Sequence, residues 1–152
     1  MNRRQFKWSA GIFLTISILI LSFSCHKQRV SVAWRRDVFL GLEQAKRLDK
    51  PVLMNFTAIW CPYCQAMKDS VWSNPLVIET TKAFIPVWVD VDSNKAAATV
   101  YHASARKYGG IGIPNMLFLD AQGDSLLHLV GFYSADSLVY FMNRTLDQVK
   151  NQ

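Results

Sequence analysis

A chain of 152 residues, 51% hydrophobic and 18% charged, has material for one core and too little for two ordinary domains. The formal net charge of +6 would suit a nucleic-acid surface, but residues 1–36 carry Arg3, Arg4, Lys7, Lys27, Arg29, Arg35 and Arg36 with no acid, leaving 10 basic against 11 acidic residues from Asp37 onward. The part that folds is therefore near neutral, and the basicity belongs to targeting and to a segment beside a membrane rather than to a DNA or RNA face.

Residues 1–24 read as an export signal or membrane anchor. Met1 to Lys7 is a basic n-region, and Trp8 to about Phe23 is an apolar h-region. That run is short of the roughly 20 residues of a full span. Cys25 closes it at Leu21-Ser22-Phe23-Ser24-Cys25, which resembles a bacterial lipoprotein signal whose cysteine is lipidated. Lipidation at Cys25, an uncleaved anchor and ordinary cleavage all stay open. Residues 25–33 are polar and basic, which predicts a linker and leaves 34–152 as the domain.

From Trp34 to Leu48, the apolar residues Val38, Phe39, Leu42, Ala45 and Leu48 recur at three- and four-residue spacing, predicting a helix packed on a sheet by one stripe. Asp49-Lys50-Pro51 stops it. Val52 to Ala58 is short and nearly all apolar, as a central strand covered on both faces must be. A helix follows from Trp60-Cys61-Pro62-Tyr63-Cys64 through Lys68, is broken at Ser73-Asn74-Pro75, and resumes from Leu76 to about Ala83. Phe84 to Val91 is a strand with Pro86 at its start, because proline cannot donate to a central ladder.

Asp92-Ser93-Asn94 offers caps for a helix from Lys95 to Tyr108, closed by Gly109-Gly110. Met116 to Leu119 and Leu126 to Val130 form a hairpin around Asp120-Ala121-Gln122-Gly123-Asp124. A last helix runs from Ser134 to about Val149. This order predicts an α/β fold, a central mixed β-sheet flanked by helices on both faces.

The chemistry lies in Cys61 and Cys64. Two cysteines separated by two residues, after a strand and at the start of a helix, are the pair that thiol–disulfide exchange requires. Cys61 sits where unpaired N–H groups and the positive end of the helix stabilise a thiolate, and Pro62 suits the first helical position because it has no N–H to waste. Cys61 is thus the nucleophile, and Cys64, a turn inward, the resolving thiol. A structural zinc site needs four ligands and finds only Cys25 besides this pair. A copper-binding thiol module without redox turnover is the alternative from another class. Trp60 and Tyr63, beside the thiols, are expected to be partly exposed and to touch substrate. Phe56, Trp72, Trp88, Phe118 and Phe132 are expected in the core, and His102 and His128 as packing or surface residues.

Trp60-Cys61-x-x-Cys64 after an apolar strand, with Gly112-Ile113-Pro114 about fifty residues on, resembles the thioredoxin superfamily over about Trp34 to Val149. Lys50-Pro51-Val52 and Val71-Trp72-Ser73-Asn74-Pro75 resemble the C-terminal domain of the periplasmic reductase DsbD and related exported thioredoxin-like lipoproteins. The resemblance implies a cis bond at Pro114, with Ile113 and Pro114 joining Trp60, Pro62 and Tyr63 in the substrate groove. It implies a cofactor-free disulfide reductase on the periplasmic side, tethered to the membrane, drawing electrons from an upstream thiol–disulfide donor and serving exported proteins. An oxidant or isomerase of the same fold is the alternative. Two residues depart from the family pattern: Pro62-Tyr63 is the glutaredoxin dipeptide, and Asn55 stands where the family has a buried aspartate that tunes the resolving thiol.

Overall fold

The computed structural model describes residues 31–99 and 112–151. The apolar N-terminal run, Cys25, His102, Gly109-Gly110 and most of the helix expected after Asn94 lie outside them. Among the described residues, no helix is long and apolar enough to cross a membrane.

The elements run α1 (Val38–Leu48), β1 (Val52–Thr57), α2 (Pro62–Ser70), α3 (Pro75–Thr81), β2 (Ile85–Asp90), a helical stretch over 95–99, β3 (Asn115–Leu119), β4 (Ser125–Val130) and α4 (Ala135–Lys150). Four strands form one mixed sheet in the order β2-β1-β3-β4. β1 pairs in parallel with β2, the intervening α2 and α3 making the crossover that parallel pairing demands, and antiparallel with β3. β1 is central and buried along its whole length.

Alternation along β1 decides what each face meets. Val52, Met54 and Phe56 point with Val87, Val89 and Leu117 towards α1 and Ala97. Leu53 points with Met116, Phe118 and Leu129 towards α2, α3 and α4, where Met67, Val77, Leu138 and Met142 cover it. Asn55 and Thr57, two and four residues beyond Leu53, share this second face by parity.

Pro86 stands second in β2 at no cost, because it faces the outer edge. Ile85 N–H donates to Pro51 O on the β1 side, whereas Trp88 N–H, of the same parity as residue 86, donates outward to Arg35 O at 2.8 Å. The N–H that proline lacks would have pointed away from β1.

The structure corrects the reading of the first helix. It begins after Asp37, whose carboxylate accepts the Leu40 N–H at 3.0 Å, and not at Trp34. Trp34 instead stacks edge-on against Trp72 and Trp88, at centroid distances of 4.9 and 5.2 Å. Val32, within the expected linker, is buried in the same core. Phe39 and Leu48 are exposed, because the stripe that meets the sheet is Val38, Gly41 and Ala45. Phe132, expected in the core, is 46% exposed just after Gly131, whose φ of +95° turns the chain out of β4.

At Gly41 the backbone of α1 comes close to the sheet. A Cβ there would lie 2.8 Å from Val87 Cγ2, on a side chain with no exposed surface. Gly41→Ala should therefore cost about 2–3 kcal/mol, the upper part of the overpacking range because Val87 is fully enclosed, against a gain of about 1 kcal/mol in helix propensity, for a net loss. Urea denaturation checks this, and an unchanged or raised midpoint contradicts it.

Candidate active site

The two thiols sit at the junction of β1 and α2. Strand pairing ends at Thr57, Cys61 N–H donates to Ala58 O at 3.3 Å, and Gln65 Nε2 donates to Ile59 O at 3.2 Å, so the four residues between β1 and α2 form one tight turn. Cys61 is the N-cap of α2 and Pro62 its first residue. The Cys61 sulfur accepts the Cys64 N–H at 3.2 Å, as a capping oxygen does elsewhere.

Cys61 and Cys64 are joined as a disulfide with their Cα atoms 5.2 Å apart. Both are 3% exposed and pack with Ala58, Val91 and Ile113. The Ile113 carbonyl oxygen lies 3.7 Å from Cys61 Sγ, and the Ile113–Pro114 peptide bond is cis. Gly131 N–H donates to Pro114 O at 2.8 Å and ties that loop to the end of β4. The structure thus brings Cys61, Cys64, Ile113 and Pro114 together, from chain positions some fifty residues apart.

A rim of apolar surface surrounds this small, buried pair. Ile59, Trp60 and Tyr63 are 81%, 64% and 65% exposed. Large aromatic groups held in water beside a nearly covered disulfide are suited to receive a partner chain, since burying each against a partner returns apolar area otherwise wetted.

Trp60 is exposed yet not free. Its Nε1–H donates to Asp92 Oδ2 at 2.7 Å. Asp92 is set in turn by Asp90, whose Oδ1 accepts the N–H groups of Asp92 and Ser93, each at 3.0 Å. The Ser93 N–H, aided by the Asp92 N–H and by Arg36, holds the Asp90 carboxyl below its ordinary value, against an opposing pull from burial. A depressed carboxyl contributes stability above its unfolded pKa and loses it as pH falls through the folded one, so what Asp90 adds to this turn is present at neutral pH and lost in acid.

By sequence, Asp92 is one of three candidate caps. Asn94 does the capping, through Ala97 N–H at 3.2 Å, and nothing in the sequence links Asp92 to a tryptophan 32 residues away. Asp92→Ala should slow exchange with a protein disulfide about two- to fivefold, the worth of one exposed hydrogen bond, while leaving reaction with a small disulfide such as cystine nearly as before. Equal losses with both oxidants would remove the positioning role.

Asn55 lies on the face of β1 that carries α2, flanked by Trp88 on β2 and Met116 on β3. It is 1% exposed, and its Oδ1 has no hydrogen-bond partner among the described residues. His128, expected as a packing or surface residue, is half-buried and sits with Nε2 2.6 Å from Asn115 Oδ1. That places a polar pair one residue from Pro114.

The thioredoxin-like domain family model matches residues 38–145. The thiol:disulfide interchange protein DsbD of Cronobacter sakazakii is 28% identical over 123 residues, covering 80% of this chain and 21% of that protein. The protein of the same name from Vibrio vulnificus is 31% identical over 105 residues, 68% of this chain and 17% of that one. The chain therefore spans about a fifth of the length of these relatives. Among solved structures, the reduced C-terminal domain of Neisseria meningitidis DsbD superposes with a TM-score of 0.59 at 25% identity, covering 71% of this chain and 93% of that domain. A thioredoxin from Thermus thermophilus superposes with a TM-score of 0.63 at 25% identity, over 76% and 88% of the two chains.

Proposed function

Because the chain belongs to the thioredoxin-like domain family, we propose that it is an extracytoplasmic protein thiol–disulfide oxidoreductase that reduces disulfides in exported proteins through Cys61 and Cys64. The observation that carries this reading is the Cys61–Cys64 disulfide at the N-terminus of α2, against the Ile113 carbonyl and under the exposed rim of Ile59, Trp60 and Tyr63. Pro62, Ile113 and Pro114 complete the surface that a partner's extended segment would meet.

In the reduced protein the Cys61 thiolate attacks one sulfur of a partner disulfide. A Cys61–partner bond forms, the partner's sulfur–sulfur bond breaks, and the first partner thiolate leaves. Cys64, once deprotonated, attacks Cys61 Sγ and expels the second partner thiolate, closing the Cys61–Cys64 disulfide. Two electrons have passed to the partner, whose thiolates take up the protons. The disulfide form seen here is the product of that half-reaction, and an upstream dithiol must run the same exchange in reverse to restore it.

Export and tethering are proposed on the N-terminal sequence: a basic start, an apolar run from Trp8 to about Phe23, and Cys25 at its end as the lipidation site or as part of an uncleaved anchor. Of the segment 25–33, the part before Val32 would link that element to the domain, since Val32 itself is buried in the core. The reducing direction is proposed on the resemblance to the DsbD C-terminal domain and is tested by redox equilibration with glutathione. A reductase gives a potential towards the thioredoxin end of the family range, about −270 mV, with rapid reduction of insulin; a value near −120 mV would make it an oxidant.

A further inference from the structure

A groove of about 970 Å³ opens beside the active site and is not used by the chemistry above. It starts at Ile59, two residues before Cys61, and runs between α2 and the segment leading into α1. Its floor is aromatic: Trp34 stands edge-on to both Trp72 and Trp88, and Trp34 and Trp88 remain partly uncovered.

Its charge is one-sided. Arg35, Arg36 and Lys68 line it against the single carboxylate of Asp90. Arg35 is committed within the fold, donating to Gln44 Oε1 and Ala33 O. Arg36 lies with its guanidinium carbon 5.1 Å from the centre of the Trp88 ring; its charge acts on Asp90, but among the described residues neither it nor Lys68 is within salt-bridge distance of a carboxylate. Arg35 and Arg36 come from the basic segment 1–36, and the fold sets them beside Lys68, from the near-neutral remainder of the chain. Solvated cations alone would account for Lys68, which suits the last turn of α2, but not for a second cation stacked over an aromatic floor that opens on the reactive turn.

We propose that this groove receives an acidic stretch of the redox partner's chain, a few residues from the partner's reactive cysteine, and so selects partners by charge before exchange begins. The proposal rests on the oxidoreductase reading and names the class of partner. An extended acidic segment places its carboxylates against Arg36 and Lys68 and its apolar side chains on the tryptophans, and the favourable field raises the rate of productive encounter.

The test uses the reduced full chain and three synthetic peptides with one internal disulfide each, identical except for a flanking run of aspartates, serines or lysines. Exchange is followed by stopped-flow tryptophan fluorescence. The aspartate peptide should react about tenfold faster than the serine peptide at low ionic strength, the lysine peptide more slowly than either, and the spread should narrow in salt. In the double variant Arg36→Glu/Lys68→Glu the order should reverse; because the readout is a ratio within one protein, partial loss of fold does not imitate it. Equal rates for the three peptides, or a preference for acid that survives the double replacement, overturns the proposal.

If no peptide exchanges at all, the oxidoreductase reading has failed, and the groove is judged separately by titration with cysteine-free peptides. Saturable binding of the acidic one alone supports it, and equal or absent binding overturns it. Binding to phosphatidylserine vesicles without any preference among peptides assigns the charge to a membrane surface and overturns it as well.

Discussion

Cys61→Ser is expected to abolish exchange, by at least about three orders of magnitude, whereas Cys64→Ser is expected to keep the first attack and stall as a mixed disulfide on Cys61. Burial does not distinguish the two thiols, since both are 3% exposed. The helix end does. Cys61 caps α2 and its sulfur already accepts the Cys64 N–H at 3.2 Å, an arrangement that stabilises negative charge on Cys61 and offers Cys64 nothing comparable. Alkylation by iodoacetamide at mildly acidic pH should therefore be fast in reduced Cys64→Ser protein and slow in reduced Cys61→Ser protein. The opposite pattern would exchange the two roles, and trapping with Cys64→Ser would then yield no covalent partner.

Much of this site was legible from sequence because its signals are local. An apolar run of strand length, a tight turn, a proline at the first helical position and two cysteines one turn apart occupy fewer than fifteen consecutive residues, and each constrains the next. The α1 error shows where local signals stop. Periodicity locates a helix, but Phe39 and Leu48 fit the same spacing as Val38 and Ala45, and the residue that decides the orientation is Gly41, which has no apolar side chain to be read. The fit of that face onto Val87 and its neighbours in the sheet makes it the buried one.

The unread parts of the site are those made by contact across sequence. Trp60 meets Asp92 through a turn organised by Asp90, and Trp34 leaves an apparent helix to stack on Trp72 and Trp88. No pattern in either segment names its partner, because hydrogen bonds and ring contacts across 32 or more residues depend on the register of the sheet. The proximity of Ile113 and Pro114 to the thiols was expected through family resemblance, not from spacing.

Asn55→Asp is expected to speed release of the mixed disulfide at neutral pH by at least about tenfold while lowering stability. Among the described residues the buried polar side chains are Asn55, Thr57, Thr81, Asn115 and Thr145, and none of them ionises near neutral pH. No buried base is therefore present in this set to take the proton from Cys64, and Asn55, with an unpartnered Oδ1 on the face of β1 that carries α2, can only accept or donate a hydrogen bond. With none of these as base, the expected acceptor is water or the departing thiolate. Release in the natural protein should then track the ionisation of Cys64 itself, rising steadily through alkaline pH without an inflection near neutrality. A carboxyl at this position has a base's reach but little solvation, so burial pushes its pKa up. The sign of the stability change follows: the folded state holds the proton that the unfolded state releases, so the variant comes closest to the natural protein below about pH 4 and loses stability as pH rises through the raised folded pKa. Single-turnover decay of a Cys61-linked peptide against pH, with urea midpoints at pH 4 and 7, measures both halves. A neutral inflection already present in the natural protein and unmoved by Asn55→Asp would place the base on another residue.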